Sequence, residues 1–347
     1  METALTKLAG VRHPVVQTGM GWVAGPRLVS AVANAGGLGI LASATMTFDE
    51  LRTAIEEVRE RTGSPFGVNL RADAVDAGER VRLLISAGVR VASFALAPSQ
   101  ELIGTLKDAG VVVIPSVGAV RHAEKVAGWG ADAVMVQGGE GGGHTGQVAT
   151  TVLLPSVVDA VDIPVIAAGG FFDGRGLAAA LSYGAAGVGM GTRFLLTKES
   201  TVPQAVKEAY LASGLTGTVV TTRVDGMPHR VLRTELVTSL ESAGPLRGLL
   251  RAVRNAARFR SLTRLSWAAM AREGLAMRRN HKLTWSQLVM AANTPMLLRE
   301  GLVNGNTAAG VLASGQVAGA LRDLPTCEEL ISGIVREAGE IIEHLPR

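Results

Sequence analysis

The chain has 347 residues, 47% of them hydrophobic and 18% charged, with a formal net charge of +4, and this is enough apolar material for a large buried core. The lone Cys327 excludes a disulfide framework and any multi-cysteine zinc or iron–sulfur site, so we expect no metal and a cytoplasmic protein. Apolar runs all fall short of the ~20 residues of a membrane span, and the N-terminus lacks the apolar core of a signal peptide.

The positive charge is concentrated in one segment. Between Arg223 and Lys282, thirteen basic residues stand against four acidic ones, a local net charge of +9, so the rest of the chain is mildly acidic. A basic block on an acidic body indicates an anionic partner.

Strand-like and helix-like runs alternate through the first two hundred residues, which favours a parallel sheet. The strand-like runs are mostly Val, Ile, Leu and Ala without alternation, as in parallel strands buried on both faces. They are Val15–Gly19, Leu38–Ala42, Phe66–Leu70, Val91–Leu96, Val111–Val117, Ala133–Gly138, Pro164–Gly170 and Gly187–Leu195. The helical runs are Pro26–Ala35, Thr47–Arg61, Ala77–Ala87, Ser99–Ala109, Ala119–Trp129, Ser156–Ala160 and Gly174–Tyr183. Eight strands favour closure into a TIM (β/α)8 barrel over an open sheet.

The pattern changes after Leu195. Residues 201–303 contain the Arg excess and are predicted to form a mainly helical lid or substrate subdomain. Residues 1–200 and roughly 304–347 are assigned to the barrel.

The two last strand-like runs each end in a turn with almost no side chains. Gly169 and Gly170 follow one run, and Gly191 and Thr192 interrupt the other. Such turns expose backbone N–H groups to an anion, and the loops after strands 7 and 8 are the usual phosphate site of a barrel. We therefore predict a phosphorylated cofactor at this end.

The loop after the sixth run crowds six glycines around His144. Gly142 and Gly143 would let a flat ligand approach the backbone, and His144 can move a proton near neutral pH. A flexible loop with a solvated histidine is the alternative, but active sites of barrels lie on such loops. The GGGHTG string also matches a dinucleotide-binding pattern, which we set aside because Thr150–Leu154 reads as extended.

Polar groups end other predicted strands. Asn69, Ser116 and Gln137 carry side chains that suit a flavin pyrimidine edge, although each could simply cap a following segment. Met20 and Gly21 follow the first strand, where backbone could approach an aromatic ring.

Asp173 is predicted as a helix N-cap, and Arg193 could face either a cofactor or a neighbouring acid. The basic segment places Arg247, Arg251, Arg254 and Arg258 on one helical stripe, suited to a polyphosphate substrate, an acidic membrane surface or nucleic acid. We expect no nucleic-acid binding, since no recognised module is present.

The motifs together resemble the nitronate monooxygenase family, formerly called 2-nitropropane dioxygenases. The resemblance rests on VVQTGMGWVAGPRLVSAVANAGGLGIL, FGVNL, VMVQGGEGGGHTG, PVIAAGGFFDGRGLAAALSYGAAGVGMGTRFL and GVLASGQVAGALRDLP. It implies an FMN-binding barrel with His144 as the active-site histidine. It also implies that Gly169, Gly170, Gly191 and Thr192 bind the FMN phosphate, that Asn69 and Gln137 contact the flavin edge, and that Gln316 closes over the site.

Within that family the chain looks closer to an actinobacterial branch that handles CoA thioesters in steroid ring C/D breakdown. The resemblance implies reduction or desaturation of a C–C bond of an acyl-CoA, with hydride transfer through flavin N5 and NAD(P)H as partner. The Arg stripe would then bind CoA phosphates. A nitronate monooxygenase using O2 is the alternative enzyme, and a flavoprotein that docks a partner through its basic helix is the alternative class. A homodimer is kept as an open expectation.

Overall fold

The computed structural model describes residues 1–95, 98–242 and 285–344. Eight parallel strands close into a barrel, in which the first and the last barrel strand pair through Val15 and Val188. The predicted (β/α)8 barrel is therefore confirmed. The strands are β1 (Val15–Gln17), β2 (Leu38–Ala42), β3 (Gly67–Leu70), β4 (Val91–Phe94), β5 (Val112–Val117), β6 (Val134–Gln137), β8 (Val165–Ala168) and β9 (Gly187–Met190), and β7 (Gly143–His144) lies outside the barrel.

Helices follow the strands as the alternation predicted. They are α1 (Ala4–Ala9), α2 (Pro26–Asn34), α3 (Phe48–Arg61), α4 (Ala77–Ser86), α5 (Gln100–Asp108), α6 (Val120–Gly128), α7 (Thr150–Val158), α8 (Gly174–Ser182), α9 (Thr192–Leu195), α10 (Gln204–Leu211), α11 (Glu235–Ser242), α12 (Trp285–Leu302) and α13 (Cys327–His344). Among these described residues, no helix is both long and apolar enough to cross a membrane.

The barrel core consists of the uniformly apolar strands. All five residues of β2 are buried, and Ile40 packs in one cluster with Ile114 and Ile166. Leu5 of α1 joins the same cluster. Because parallel strands are covered on both faces, their sequences show no alternation, and the predicted strand positions agree closely with the structure.

Local capping fixes where the helices begin. Thr47 and Glu50 form a capping box at α3, in which the Thr47 hydroxyl accepts from the Glu50 N–H and the Glu50 carboxylate accepts from the Thr47 N–H at 2.7 Å. Asp173 Oδ1 accepts from the Gly176 N–H at 3.0 Å, so the predicted N-cap of α8 is confirmed. The Glu337 carboxylate of α13 accepts from the Gly174 N–H at 2.7 Å, which fixes the C-terminal helix against α8.

Two predicted segments were wrong in local detail. Thr150–Leu154 was predicted as extended but forms the first part of α7. The reason is tertiary, because the Glu140 carboxylate accepts from the Thr150 N–H at 3.0 Å and so caps the helix from the preceding loop. The predicted strand Gly187–Leu195 is divided, with β9 ending at Met190 and α9 beginning at Thr192.

The chain divides into two compact units. The first contains Met1–Gly141, Thr145–Thr201 and Ala320–Arg347, and the second contains Gly142–His144 and Val202–Gly319. The sequence prediction had grouped residues 304–319 with the barrel, whereas their contacts place them in the second unit. The role of residues 201–303 as a lid stays a prediction.

The second unit contains a small antiparallel sheet that the sequence pattern did not identify. Strand β10 (Thr218–Thr221) pairs with β11 (His229–Leu232), and β11 pairs with β7, in the order β10-β11-β7. Val224, Val231, Val237 and Val311 form its buried apolar core. A 3-10 helix, Gln316–Ala320, includes the last residues of this unit and the first residue of the C-terminal segment that belongs to the first unit.

Candidate active site

The turns after β8 and β9 present backbone instead of side chains. Gly169 and Gly170 have φ values of +89° and +90°, a region that residues with a Cβ rarely adopt. A Cβ added at Gly191 would lie 3.2 Å from Thr18 Oγ1 and 3.3 Å from Met20 Sδ, so a side chain there would require these neighbours to shift. The two turns, at the ends of neighbouring strands, fit the phosphate end of a cofactor.

The loop after β6 packs directly on the first of these turns. A Cβ added at Gly169 would lie 3.1 Å from the Gly138 carbonyl oxygen and from the Gly141 nitrogen. The Gly138 N–H donates to the Ala168 carbonyl at 3.0 Å, and the Thr145 hydroxyl donates to the Gly138 carbonyl at 3.1 Å. The glycine-rich loop is therefore held against the β8 turn by backbone contacts.

Glu140 fixes this loop, a role that the sequence analysis missed. Its carboxylate accepts from the Thr150 N–H at 3.0 Å and from the Thr150 hydroxyl at 2.7 Å. The same hydroxyl lies 2.9 Å from the Gly169 carbonyl oxygen. Through Thr150, Glu140 therefore connects the loop after β6, the start of α7 and the turn after β8.

Gly141 makes room for a predicted flavin contact. A Cβ added there would lie 2.6 Å from Cγ, Cδ and Nε2 of Gln137. The Gln137 side chain thus occupies the space that any larger residue at position 141 would need.

Polar side chains at the ends of other strands are held in place. Asn69 is buried and lies one residue before the end of β3. Its backbone carbonyl accepts from the Ser43 hydroxyl at 2.7 Å, and its side-chain amide donates to Ser93 Oγ at 3.4 Å. A Cβ added at Gly19 would lie 2.5 Å from Asn69 Cβ, so the loop after β1 packs directly on this residue. Ser116 is half-buried near the end of β5.

The structure places nine of the predicted cofactor residues at the C-terminal ends of barrel strands, where barrel enzymes bind ligands. They are Met20, Gly21, Asn69, Ser116, Gln137, Gly169, Gly170, Gly191 and Thr192. The other three, Gly142, Gly143 and Gln316, belong to the second unit. Their predicted roles stay predictions. Arg247, Arg251, Arg254 and Arg258 lie outside the described residues.

His144 belongs to a three-residue cluster within the second unit. It lies on β7 directly opposite His229 of β11, and the two ring centroids are 4.7 Å apart. His144 Nε2 is 2.6 Å from Asp225 Oδ2, and His229 Nδ1 is 3.1 Å from the same oxygen. Asp225 and His229 are buried, whereas the His144 side chain is 55% exposed. In this cluster the imidazole of His144 is accessible to solvent, whereas the carboxylate that it contacts is buried.

Asp225 is ionised in this environment. Burial alone would raise the pKa of its carboxyl, but hydrogen bonds from His144 and His229 outweigh burial and hold the pKa well below its usual range. An ionised carboxylate only accepts hydrogen bonds, so both imidazoles donate to it.

Asp225 and His229 were not among the residues predicted for the site. A signal was present, because Asp225-Gly226 lies between the β-branched run Thr218–Thr221 and the run His229–Leu232, a pattern typical of a hairpin. Arg193, for which two partners were left open, lies 2.7 Å from Asp323, a neighbouring acid.

A closed parallel barrel with these glycine turns defines the class of barrel proteins whose C-terminal face is suited to bind a phosphate group. The family model for nitronate monooxygenases matches residues 2–337, and the chain belongs to that family. The family groups flavoenzymes, and the chain is an oxidoreductase.

Two relatives share most of the sequence. A (3aS,4S,5R,7aS)-5-hydroxy-7a-methyl-1-oxo-octahydro-1H-indene-4-carboxyl-CoA dehydrogenase of Mycobacterium tuberculosis is 71% identical, covering 99% of this chain and 97% of that protein. The dehydrogenase of the same name from Rhodococcus jostii is 69% identical, covering 99% and 98%. Among solved structures, FabK from Thermotoga maritima is similar with a TM-score of 0.80 at 36% identity, covering 99% of this chain and 98% of FabK. The predicted family is therefore confirmed.

Proposed function

We propose that the chain is an FMN-dependent dehydrogenase of a bulky acyl-CoA thioester, a hydroxy-methyl-oxo-octahydroindene carboxyl-CoA. The observation that supports it most strongly is the 71% identity, over nearly the whole chain, to a dehydrogenase of that thioester. The glycine turns after β8 and β9 fit the cofactor, because bare backbone there can approach a phosphate closely.

Nine barrel residues would hold the FMN. Gly169, Gly170, Gly191 and Thr192 would bind its phosphate through backbone groups, and the amides of Asn69 and Gln137 would contact the flavin edge. When bound, the flavin supplies a two-electron acceptor and donor, and NAD(P)+ would take up the electrons that the thioester loses. Side chains of the protein would carry out the proton transfer and bind the substrate.

His144 would move the proton of the reaction. A thioester carbonyl acidifies the C–H bonds next to it, so removing two hydrogens from the adjacent C–C bond begins with loss of that proton. An imidazole is suited to accept it near neutral pH. The buried carboxylate of Asp225 stabilises the positive charge that His144 then carries.

The basic segment would bind the coenzyme A end of the substrate. Coenzyme A has a diphosphate and a 3′-phosphate, and Arg binds phosphate oxygens through its planar fork. We assign this role to Arg247, Arg251, Arg254 and Arg258, which contribute to the local net charge of +9.

Steady-state kinetics test the substrate class. We expect turnover of the octahydroindene carboxyl-CoA thioester at kcat/KM of about 10⁴ M⁻¹s⁻¹ or more, with propionate 3-nitronate and O2 turned over far more slowly. His144→Gln should keep its flavin spectrum and lose most of the thioester turnover. Rapid nitronate oxidation without thioester turnover would establish the alternative, a nitronate monooxygenase, which the family match alone would equally allow.

A further inference from the structure

Two imidazoles converge on a single carboxylate oxygen in the second unit. Asp225 Oδ2 lies 2.6 Å from His144 Nε2 and 3.1 Å from His229 Nδ1. Because the carboxylate is an acceptor, the proton of each ring must lie on the nitrogen that faces it. The geometry therefore assigns a tautomer to each histidine.

Asp225 cannot easily turn away from His144. Its other oxygen, Oδ1, accepts from the Met227 N–H at 3.0 Å, and the carbonyl of the preceding Val224 accepts from the Thr294 hydroxyl at 3.1 Å. Asp225 is 3% exposed and Val224 is 2% exposed. The loop between β10 and β11 is therefore fixed by hydrogen bonds and burial, and the carboxylate has a defined direction.

His229 holds the carboxylate from its other side. It is opposite His144 in the β7–β11 pairing and is 3% exposed, so its ring position is set by the sheet. Its Nε2 has no hydrogen-bond partner among the described residues, so nothing there competes with the Nδ1 contact to Asp225.

We propose that Asp225 is a positioning residue that keeps His144 in the Nε2–H tautomer, so that Nδ1 is the ring nitrogen that exchanges a proton with the substrate. This inference rests on the proposed function. In the dehydrogenation direction, the C–H bond next to the thioester breaks and an N–H bond forms at His144 Nδ1. The electron pair of the C–H bond stays on the carbon and is delocalised into the thioester carbonyl. The hydride equivalent from the neighbouring carbon would be accepted by the flavin, and NAD(P)+ would then take up the two electrons. The exposed imidazolium returns its proton to solvent.

A metal site would need a different arrangement of the same three residues, whose ligand atoms all lie within 4.8 Å of one another. Two donors on one tetrahedral zinc ion stand ~3.3 Å apart, as Zn–N distances near 2 Å require. The 2.6 Å between His144 Nε2 and Asp225 Oδ2 is instead a hydrogen-bond distance. The three residues are therefore arranged as a hydrogen-bonded cluster and not as a set of metal ligands.

Nitrogen NMR of the holoenzyme, labelled with 15N in histidine, tests the tautomers directly. Spectra of His144→Gln and His229→Gln assign the two signals. We expect the wild-type proton on Nε2 of His144 and on Nδ1 of His229. A proton on Nδ1 of neutral His144 would overturn the proposal, whatever the variants do. Zinc that stays bound in stoichiometric amount, and is lost in Asp225→Asn, would also overturn it.

Kinetics of Asp225→Asn test the positioning role. Asparagine keeps an oxygen for the Met227 N–H, but it removes the charge that fixes the His144 tautomer. We expect kcat to fall by ~10²- to 10⁴-fold with KM within ~3-fold, since related histidine–carboxylate pairs behave in this way. The flavin spectrum should be unchanged, and the NMR signal should show that His144 is no longer confined to the Nε2–H form. The matched control is Asp49→Asn, which removes a carboxylate exposed on α3.

The outcomes separate this inference from the proposed function. If the wild type does not oxidise the thioester but shows the Nε2–H tautomer, the proposed function fails, and the Asp225→Asn comparison is made with the nitronate as substrate. If Asp225→Asn keeps kcat within twofold for the substrate that the wild type turns over, Asp225 is not a positioning residue.

Discussion

At the scale of single residues, the turn after β8 is the place where the structure most clearly requires glycine. Gly169 has both a positive φ of +89° and close contacts with the loop after β6. These are separate constraints. The positive φ would strain any L-residue, whereas the contacts are with backbone atoms of Gly138 and Gly141 next to the proposed phosphate site. A substitution at a glycine that has a positive φ but no close contacts separates the effect of strain from the effect of the contacts.

Gly169→Ala should weaken FMN binding by tenfold or more, because its Cβ would push the Gly138 and Gly141 backbone away. Gly110→Ala is the matched control, since Gly110 has a φ of +76° with no atom within 4 Å of an added Cβ. Both variants should lose about 1 kcal/mol or more in the free energy of unfolding from backbone strain. Flavin fluorescence titration and urea unfolding measure the two effects. Equal flavin affinity in both variants would show that the Gly169 turn does not hold the cofactor.

Site residues at the ends of predicted strands could be identified from the sequence, whereas those positioned by the pairing of distant strands could not. Asn69 and Gln137 could be placed because each ends an apolar run, and parallel strands in a barrel end on the same side. Asp225 and His229 required the pairing of β7 with β11, which joins residues more than eighty positions apart, such as His144 and His229. No local pattern encodes that contact.

At the scale of elements, the loop after β6 and helix α7 act as one structure. The start of α7 depends on Glu140, ten residues before Thr150, and that dependence explains why Thr150–Leu154 was predicted as extended. The residues Thr150, Thr151 and Val152 are β-branched and have low helix propensity, so the cap from the loop decides the local structure.

Glu140→Gln should lower stability and weaken flavin binding together. Glutamine is neutral and has an NH2 group in place of one carboxylate oxygen, so the charge-assisted hydrogen bonds from the Thr150 N–H and hydroxyl become weaker. We expect a loss of about 1 kcal/mol in the free energy of unfolding and a several-fold loss in FMN affinity. Glu50→Gln, in the capping box of α3, is the control and should lose stability alone. Unaltered FMN affinity in Glu140→Gln would contradict the link between this cap and the cofactor turn.

At the scale of the whole molecule, the barrel was predictable because its signal repeats. Eight apolar runs separated by helical patterns specify a closed parallel sheet without knowledge of any single contact. The second unit lacks such repetition, and its sheet includes the short strand Gly143–His144 supplied by the loop after β6. The Arg excess of this unit and the hairpin pattern around Asp225-Gly226 are visible in the sequence, but the pairing of β11 with the distant strand β7 is not.

The uneven charge of the molecule gives a prediction about substrate affinity. Arg251→Glu combined with Arg254→Glu should raise the KM for the CoA thioester by tenfold or more, with kcat within about twofold, because the lost contacts are to the non-reacting phosphates. Arg52→Glu combined with Arg59→Glu on α3 makes the same change in net charge and should leave KM near the wild-type value. If the KM stays unchanged in the first variant while binding of a protein or membrane partner is lost, the basic segment is a docking element instead.

The central claim is that the barrel binds a flavin that takes electrons from an indene carboxyl-CoA thioester. Anaerobic mixing of the purified protein with that thioester, followed by absorbance in the flavin band, tests it most directly. We predict stoichiometric bleaching of bound FMN and recovery of the colour on addition of NAD+ or NADP+. A colourless protein that does not bind FMN on reconstitution, or a bound flavin that the thioester leaves oxidised while a nitronate reduces it, would contradict the account.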